Sequence, residues 1–341
     1  MTAGIPAVGQ LAGSQVRLAL LAATAAPSVH NSQPWRFVLT DTAIELHADP
    51  DRALPATDPA QQELVLACGA ALLNLRLAVR GFGMRPDIRL LPDPLRPTLL
   101  ATVRPQGFQS LTVGERSLRE AITRRRTNRR PFRPDPVPAD VLAELHEAAG
   151  REHATLETLT VGQLTELRGL LRQAHEIQWR DPAFRAEWRA WTGRPDGQSD
   201  GVPARSAGPV PEARDEWLFR DFGSTRERLP GKDFEPEPRI VVIGSFHDLP
   251  LARVQAGQAM QRVLLTATAS GLAASFLPQV VEVAQTRAAL REILGGVWPQ
   301  TVLRLGYGSP VAATPRRSLA RVLESVLAEK DSSRSRTPAG W

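Results

Sequence analysis

The stretch at 25–37, Ala-Ala-Pro-Ser-Val-His-Asn-Ser-Gln-Pro-Trp-Arg-Phe, joins an apolar helical run to an alternating strand pattern that begins at Arg36. Pro27 cannot continue the helix, and Pro34 forces Gln33 toward an extended conformation. The sequence therefore predicts a short, defined loop whose donors and acceptors suit recognition of a small molecule. The alternative is an ordinary helix end, because these residues are common turn formers.

Composition limits the classes of protein to consider. A chain of 341 residues with 42% hydrophobic composition allows a large core, and we expect two subdomains. The net charge of +6 could indicate a nucleic-acid partner. However, only two residues are lysine, so the charge is almost all arginine, which is typical of a GC-rich bacterial genome. With one tyrosine and no strand alternating basic and aromatic residues, we expect no nucleic-acid binding.

Cysteine and histidine give no sign of a metal site. Cys68 is the single cysteine and lies in an apolar helical stretch, so we expect a buried structural thiol. No two of the six histidines stand at a metal-ligand spacing with a nearby carboxylate. The segment 17–26 imitates a short secretory signal, yet it is too short to span a membrane and directly precedes the polar loop. We interpret it as a first helix and expect a cytoplasmic protein without membrane attachment.

Hydrophobic periodicity predicts the remaining elements. The patterns at 36–40 and 43–48 form a hairpin, and 61–80 forms a helix with one apolar stripe that ends at glycine-rich 81–83. Further predictions are strands at 88–91, 98–103, 156–161 and 300–305, and helices at 141–149 and 255–269.

The two long helices can be overlaid at a fixed offset. Gly69 falls on Gly257, 188 residues later, and the same offset superimposes Ala71 on Ala259, Leu77 on Leu265 and Gly83 on Gly271. Small residues at such places allow two helices to cross closely. We interpret the pattern as an internal duplication, although Ala- and Leu-rich helices can align by chance.

An arginine-rich segment precedes the second half and has no counterpart before the first. It reads Ile-Thr-Arg-Arg-Arg-Thr-Asn-Arg-Arg-Pro-Phe at 122–132. In an extended chain Arg125, Thr127 and Arg129 point to one side. Arginine forks bind phosphate at two points, and a hydroxyl adds a neutral donor beside them. The alternative is a solvated basic turn.

The loop at 25–37 resembles the Ala-Pro-Ser-x-x-Asn-x-Gln-Pro-Trp loop of the nitroreductase family, whose members are FMN-dependent oxidoreductases. The whole pattern is present, from Ala26 to Trp35. In that family the loop covers the flavin ring from the partner subunit of a dimer. The resemblance therefore implies cofactor contacts at six positions: Pro27, Ser28, Val29, His30, Asn31 and Gln33.

The arginine segment is similar to the family's opening Arg-x-Ser/Thr-x-Arg/Lys pattern, which is followed shortly by Phe. Arg125, Thr127, Arg129 and Phe132 fit it, with one or two added residues before the Phe. The resemblance implies that this segment holds the FMN phosphate, ribityl chain and pyrimidine edge. The first half would then supply the loop and the second half the phosphate grip, so that two incomplete halves make one site.

Two later segments extend the resemblance. The family runs a backbone segment past the flavin N5 edge where this chain has 271–279, implying contacts at Leu277, Pro278 and Gln279, although the stretch could simply be a helix end leading into a strand. Near the end, Arg316 and Arg317 resemble the family's basic pair. They could complete the phosphate pocket or only cap a predicted helix at 319–328.

An insert at about 178–236 interrupts the second half. It holds four of the seven tryptophans in a Gly- and Pro-rich context, which predicts a lid. Disorder is the alternative, and the four tryptophans argue against it. A similar insert marks the Acg-like branch of the family, single-chain flavoproteins with two halves, in which the lid shuts the flavin away from solvent and substrate.

The resemblance implies an α+β fold of two duplicated halves, each an antiparallel sheet flanked by helices, forming a pseudo-dimer in one chain. We assign the halves to 1–112 and 113–330 and a flexible tail to 331–341. The implied reaction passes hydride from NAD(P)H through FMN to a nitroaromatic, quinone or similar acceptor, in a monomer with one FMN. No catalytic side chain is required, because the flavin performs the transfer. The alternative is a silent FMN storage protein with a closed lid.

Overall fold

The computed structural model describes residues 4–212, 215–217, 220–223 and 238–324, and shows an α+β fold with two sheets flanked by helices. Its helices are α1 (Gly13–Thr24), α2 (Gln62–Gly81), α3 (Val113–Ile122), α4 (Ala139–Gly150), α5 (Val161–Arg180), α6 (Pro182–Trp191), α7 (Pro250–Ala269), α8 (Gln279–Glu282), α9 (Ala284–Ile293) and α10 (Leu319–Val322). Its strands are β1 (Trp35–Leu39), β2 (Ile44–Ala48), β3 (Met84–Leu90), β4 (Leu99–Phe108), β5 (Thr155–Thr158), β6 (Thr192–Arg194), β7 (Val202–Pro203), β8 (Arg239–Ser245), β9 (Ala273–Phe276), β10 (Trp298–Gly306) and β11 (Leu323–Glu324).

The first sheet has the strand order β11-β1-β2-β4-β3. The predicted β1–β2 hairpin is confirmed, with Phe37 opposite Leu46. The prediction of a helix at 319–328 was wrong: α10 ends at Val322, and Leu323 pairs with Phe37 in parallel. The edge of β1 that is not paired with β2 offers backbone hydrogen-bonding groups to Leu323. This favours a strand at Leu323 over another helical turn. Residues 325–328 lie outside the described part of the chain.

The second sheet has the order β5-β8-β10-β9 and is antiparallel throughout. The strand predicted at 156–161 ends at Thr158, and Val161 already begins α5. The physical reason is a helix cap, because the Thr160 hydroxyl accepts a hydrogen bond from the backbone N–H of Gln163. The segment from Thr127 to Asn128 lies along the edge strand β9 of this sheet.

The centre of the molecule is the crossing of α2 with α7. Helix α2 packs on the first sheet and α7 on the second, and the two helices pack against each other. A Cβ atom built on Gly69 would lie 2.4 Å from the carbonyl oxygen of Val254 and 2.9 Å from the Cα of Gly257. The predicted close crossing is therefore confirmed. Equivalent positions meet at a two-fold axis, which fits the internal duplication, although the duplication itself stays a prediction.

Helix α2 is long and apolar enough to cross a membrane, but 83% of its most apolar window is buried inside the protein. Such burial is typical of a core helix. Cys68 is confirmed as a buried thiol, and it donates a hydrogen bond to the carbonyl of Pro34 at 3.3 Å. Burial raises the pKa of this thiol. Among the described residues no cluster of His, Cys, Asp and Glu could hold a metal ion.

The region predicted as a lid begins with helices. Helix α5 continues to Arg180 and α6 follows to Trp191, while 195–212 contain little regular structure. Trp188 donates its indole N–H to the carbonyl of Asp221 at 2.9 Å, and Trp217 is buried in an apolar cluster with Leu167. Residues 224–237 and the tail at 331–341 lie outside the described residues.

Candidate functional site

A pocket opens where several parts of the chain meet, and its lining atoms surround about 980 Å³ of space, open solvent at the mouth included. Its walls include the loop 27–30, Glu63, Leu66 and Ala67 of α2, Thr127 and Arg129, residues 275–279 at and after the end of β9, and Trp217, Arg220 and Phe222 of the insert. The loop and the arginine segment, more than ninety residues apart in sequence, therefore face one cavity.

The loop has an unusual backbone. His30, Asn31 and Gln33 have φ angles of 49°, 56° and 53°, in the left-handed region that residues other than glycine rarely adopt. Such conformations persist only where surrounding contacts determine them. One contact is local, since the hydroxyl of Ser28 accepts a hydrogen bond from the backbone N–H of Gln33 at 2.9 Å.

The Asn31 and Gln33 side chains hold the loop in place. The Asn31 amide donates to the carbonyls of Gly201 and Pro315, both at 3.1 Å. The Gln33 amide donates to the carbonyl of Ser199 at 2.9 Å, and its oxygen accepts from the backbone N–H of Arg317 at 2.8 Å. Neither side chain lines the pocket, whereas Pro27, Ser28, Val29 and His30 do. The predicted contacts of Asn31 and Gln33 with a cofactor stay predictions.

Arg316 performs a structural task that the sequence did not suggest. Its guanidinium donates to the carbonyls of Thr24 at 2.8 Å and of Ala25 and Ala26 at 3.1 Å, and to the Asn31 side-chain oxygen at 3.0 Å. It therefore caps the C-terminal end of α1 rather than the helix that follows it. Arg317 donates to the carbonyl of Gln33 at 3.1 Å. Neither arginine lines the pocket, and their predicted roles in cofactor binding stay untested.

Arg125 is buried and does not line the pocket, but it lies close to Arg316, Arg126 and Arg129. Its Nε and Nη1 have no hydrogen-bond partner among the described residues, and the side chain is buried. Burial, together with the nearby charges of Arg316, Arg126 and Arg129, lowers its pKa to about 9. A buried charge that is left unpaired costs several kcal/mol, on the order of 3–5. This cluster therefore favours binding of an anion.

Thr127 and Arg129 connect this cluster to the pocket. Thr127 pairs with Ala274 of β9, and the N–H of Asn128 donates to the Ala274 carbonyl at 2.8 Å. Residues 275–279 therefore lie beside the arginine segment, and Leu277, Pro278 and Gln279 line the same pocket, while their contacts with a cofactor stay predictions. Burial lowers the pKa of Arg129 to about 10, and its Nη1 donates to the Ser206 carbonyl at 3.1 Å.

Aromatic side chains of the insert form one side of the pocket. The Phe222 ring lies 4.4 Å from the Arg129 guanidinium and 4.7 Å from the Trp188 ring. The edge of the His30 ring meets Trp188 at 4.9 Å. Burial lowers the pKa of His30 well below its ordinary value, and the positive charges of Arg220 and Arg129 add to the effect. The His30 ring is therefore a neutral, aromatic part of the wall.

Besides Arg220 of the insert, the sequence reasoning missed two charged residues of the pocket. Arg304 of β10 is fully buried, donates to the Arg130 carbonyl at 3.0 Å and lies 4.3 Å from the Phe132 ring. Glu63, in the first turn of α2, lines the pocket although it is buried. The available signal was a charged residue inside a predicted core element, the helix at 61–80 for Glu63 and the strand at 300–305 for Arg304.

Comparisons with known proteins agree with this architecture. The chain is 37% identical over 325 residues to the protein named "Putative NAD(P)H nitroreductase Rv3131" of Mycobacterium tuberculosis, covering 91% of each chain. It is 30% identical over 316 residues to "Putative NAD(P)H nitroreductase acg" of the same organism, covering 90% of this chain and 94% of that one. The chain therefore belongs to the nitroreductase family, and the resemblance expected from the loop is confirmed.

The chain was also compared with family profiles and with solved structures. No profile of a known protein family matches the chain. A crystal structure described as a nitroreductase from Anabaena variabilis superimposes with a TM-score of 0.49 at 12% identity, covering 87% of this chain and 88% of the other.

Proposed function

We propose that the pocket binds FMN and that the protein is an NAD(P)H oxidoreductase acting on a nitroaromatic, a quinone or a similar acceptor. The observation that carries the proposal is the buried guanidinium of Arg125, whose Nε and Nη1 have no partner among the described residues, within a cluster of arginines. A phosphate group would supply the missing counter-charge through two-point hydrogen bonds. The relatives named as NAD(P)H nitroreductases support the same activity.

Each wall has a distinct task in this proposal. Arg125, Thr127 and Arg129 hold the phosphate, the ribityl chain and the pyrimidine edge. The loop from Pro27 to His30 covers the ring, and the backbone at 277–279 lies along the edge where hydride is exchanged. When bound, FMN supplies the hydride-transfer chemistry. The protein positions the reactants and excludes water.

The chain lacks the GxGxxG fingerprint of a Rossmann nicotinamide site. A nicotinamide therefore has to enter the same pocket as the flavin. Phe222 and Trp217 line that space. Their packing favours a second candidate function, FMN storage beneath a closed lid, in which these rings keep the nicotinamide out.

Anaerobic mixing with NADPH separates the two functions. We expect the flavin absorbance of the FMN-loaded protein to bleach within about seconds, at a rate typical of enzymes. A spectrum that stays oxidised would support storage. In that case Phe222→Ala should restore bleaching by removing a ring from the pocket, whereas Phe246→Ala, at a side chain that is 72% exposed, should not.

We further propose that the active unit is a monomer with one FMN, because one chain supplies both the ring-covering loop and the arginine segment. Light scattering combined with flavin quantitation should give a single chain and one flavin per chain. Two flavins per chain, or a flavin bound only by a dimer, would contradict this arrangement.

A further inference from the structure

The pocket contains a carboxyl group to which the proposed function gives no task. Glu63 lies in the first turn of α2, lines the pocket and is only 6% exposed. Its Oε2 has no hydrogen-bond partner within the described part of the chain. An unpaired, buried carboxyl oxygen beside a ligand pocket is costly unless the group is neutral or meets a ligand.

Three charged groups face Glu63 from three different parts of the fold. Glu282 of α8 lies close to it, Asp58 lies in the loop before α2, and Arg220 extends from the insert. The cluster therefore contains three carboxyls and one guanidinium.

The partners of this cluster decide which carboxyl takes a proton. Arg220 donates to Glu282, whose side chain is fully buried, and to the Gln178 side-chain oxygen at 2.7 Å. Asp58 accepts backbone N–H groups from Gln62 at 2.8 Å and Leu64 at 2.9 Å. Both carboxyls thus accept hydrogen bonds from a guanidinium or from backbone N–H groups, whereas no described residue donates such a bond to Glu63 Oε2.

Burial raises the pKa of Glu63 well above its ordinary value, and the charges of Glu282 and Asp58 raise it further, against the lowering effect of Arg220. The N-terminus of α2 favours an ionised carboxylate by only about 0.3–1 kcal/mol. Glu63 is therefore the neutral acid of the cluster.

We propose that Glu63 donates a proton to the acceptor that is reduced in the pocket, an inference that rests on the proposed function. Reduction of a quinone requires a hydride and one proton. The hydride comes from NAD(P)H, whose C–H bond breaks as the nicotinamide is oxidised to NAD(P)+. It forms a new bond to one quinone oxygen and leaves a negative charge on the other oxygen. The O–H bond of Glu63 breaks as an O–H bond forms on that oxygen, giving the hydroquinone. Glu63 becomes a carboxylate, and solvent returns the proton.

Infrared difference spectroscopy tests the protonation state independently of activity. At pH values above the pKa of Asp58, which is about 6, the FMN-loaded protein should still show the C=O band of a protonated carboxyl. The variant Glu63→Gln should lack this band. In the variant Glu282→Gln, Arg220 can pair with Glu63 instead, which lowers the pKa of Glu63. The band should therefore disappear at a lower pH than in the wild type. Identical spectra for wild type and Glu63→Gln would overturn the proposal.

Stopped-flow kinetics tests the proton transfer itself. With NADPH as donor and a benzoquinone as acceptor, Glu63→Gln should slow reoxidation of the reduced protein on the order of 10²-fold, as loss of a general acid does. The rate of reduction by NADPH should not change in this variant. In the control variant Glu166→Gln, at an exposed position, the rates of both reduction and reoxidation should equal those of the wild type. The wild-type reoxidation rate should fall as pH rises through the pKa of Glu63, and the variant should lose this dependence.

The outcomes distinguish the two levels of inference. If the wild type is not reduced by NADPH, the proposed function fails, while the infrared result still reports on Glu63. If the wild type turns over and Glu63→Gln reoxidises at the same rate with the same pH profile, the proton-donor role is overturned and the oxidoreductase remains.

Discussion

Replacing Arg125 by methionine is expected to change two measurable quantities in opposite directions. FMN affinity should fall by about 10- to 150-fold, because a charge-assisted hydrogen bond contributes about 1.5–3 kcal/mol. The melting temperature of the apoprotein should rise, because Nε and Nη1 are buried without partners among the described residues and the nearby charges are all arginines. Methionine keeps much of the apolar stem and removes the charge.

Fluorescence titration with FMN and thermal melts of the apoprotein measure the two effects. Arg124→Gln is the matched control, since it removes the same charge one residue away from an exposed position. It should leave both quantities nearly unchanged. Combining Arg125→Met with Arg129→Gln should abolish FMN retention during purification. A tightly bound flavin in the double variant would contradict the assignment of the anion site, whatever the activity of the protein.

The local parts of the site could be predicted from the sequence. The proline-bounded loop and the alternating Arg125, Thr127 and Arg129 are short patterns with clear physical meaning. The structure places the loop, Thr127 and Arg129 at one pocket, whereas Arg125 is buried nearby and does not line it. The hairpin and the two long helices were equally readable from their periodicity. In each case the information lies within about twenty neighbouring residues.

Features that depend on distant partners could not be predicted. Arg316 caps a helix almost three hundred residues earlier in the sequence, and no local pattern identifies that partner. The strand at Leu323 exists because β1 offers an edge. Glu63 has the appearance of an ordinary acidic residue in a first helical turn, and only the packing of Glu282 against it reveals a neutral acid.

The second large effect is expected at the crossing of α2 and α7. Gly69→Ala should lower the free energy of unfolding by about 1–3 kcal/mol, the usual cost of overpacking a core. The new Cβ would lie 2.4 Å from the Val254 carbonyl oxygen and 2.9 Å from the Cα of Gly257. These are backbone atoms, so the contact is relieved only if the helices move apart. Urea unfolding monitored by circular dichroism measures the loss.

Gly169→Ala provides a matched control inside α5, where an added Cβ meets no atom within 4 Å. It should stabilise the protein by about 0.5–1 kcal/mol, because alanine loses less conformational entropy than glycine in a helix. The same gain partly offsets the clash at Gly69, so a neutral Gly69→Ala would mean that separating the helices costs only about 0.5–1 kcal/mol. Such a result would contradict the close crossing.

Gly257→Ala should act through the same separation of the helices, since its Cβ would lie 2.2 Å from the Leu66 carbonyl oxygen. Because one movement relieves both contacts, the double variant should be less destabilised than the sum of the single variants. Leu66 and Met260 of the two helices also line the pocket. The same displacement should therefore weaken FMN binding in both single variants, although neither glycine lines the pocket, and Gly169→Ala should leave FMN affinity unchanged.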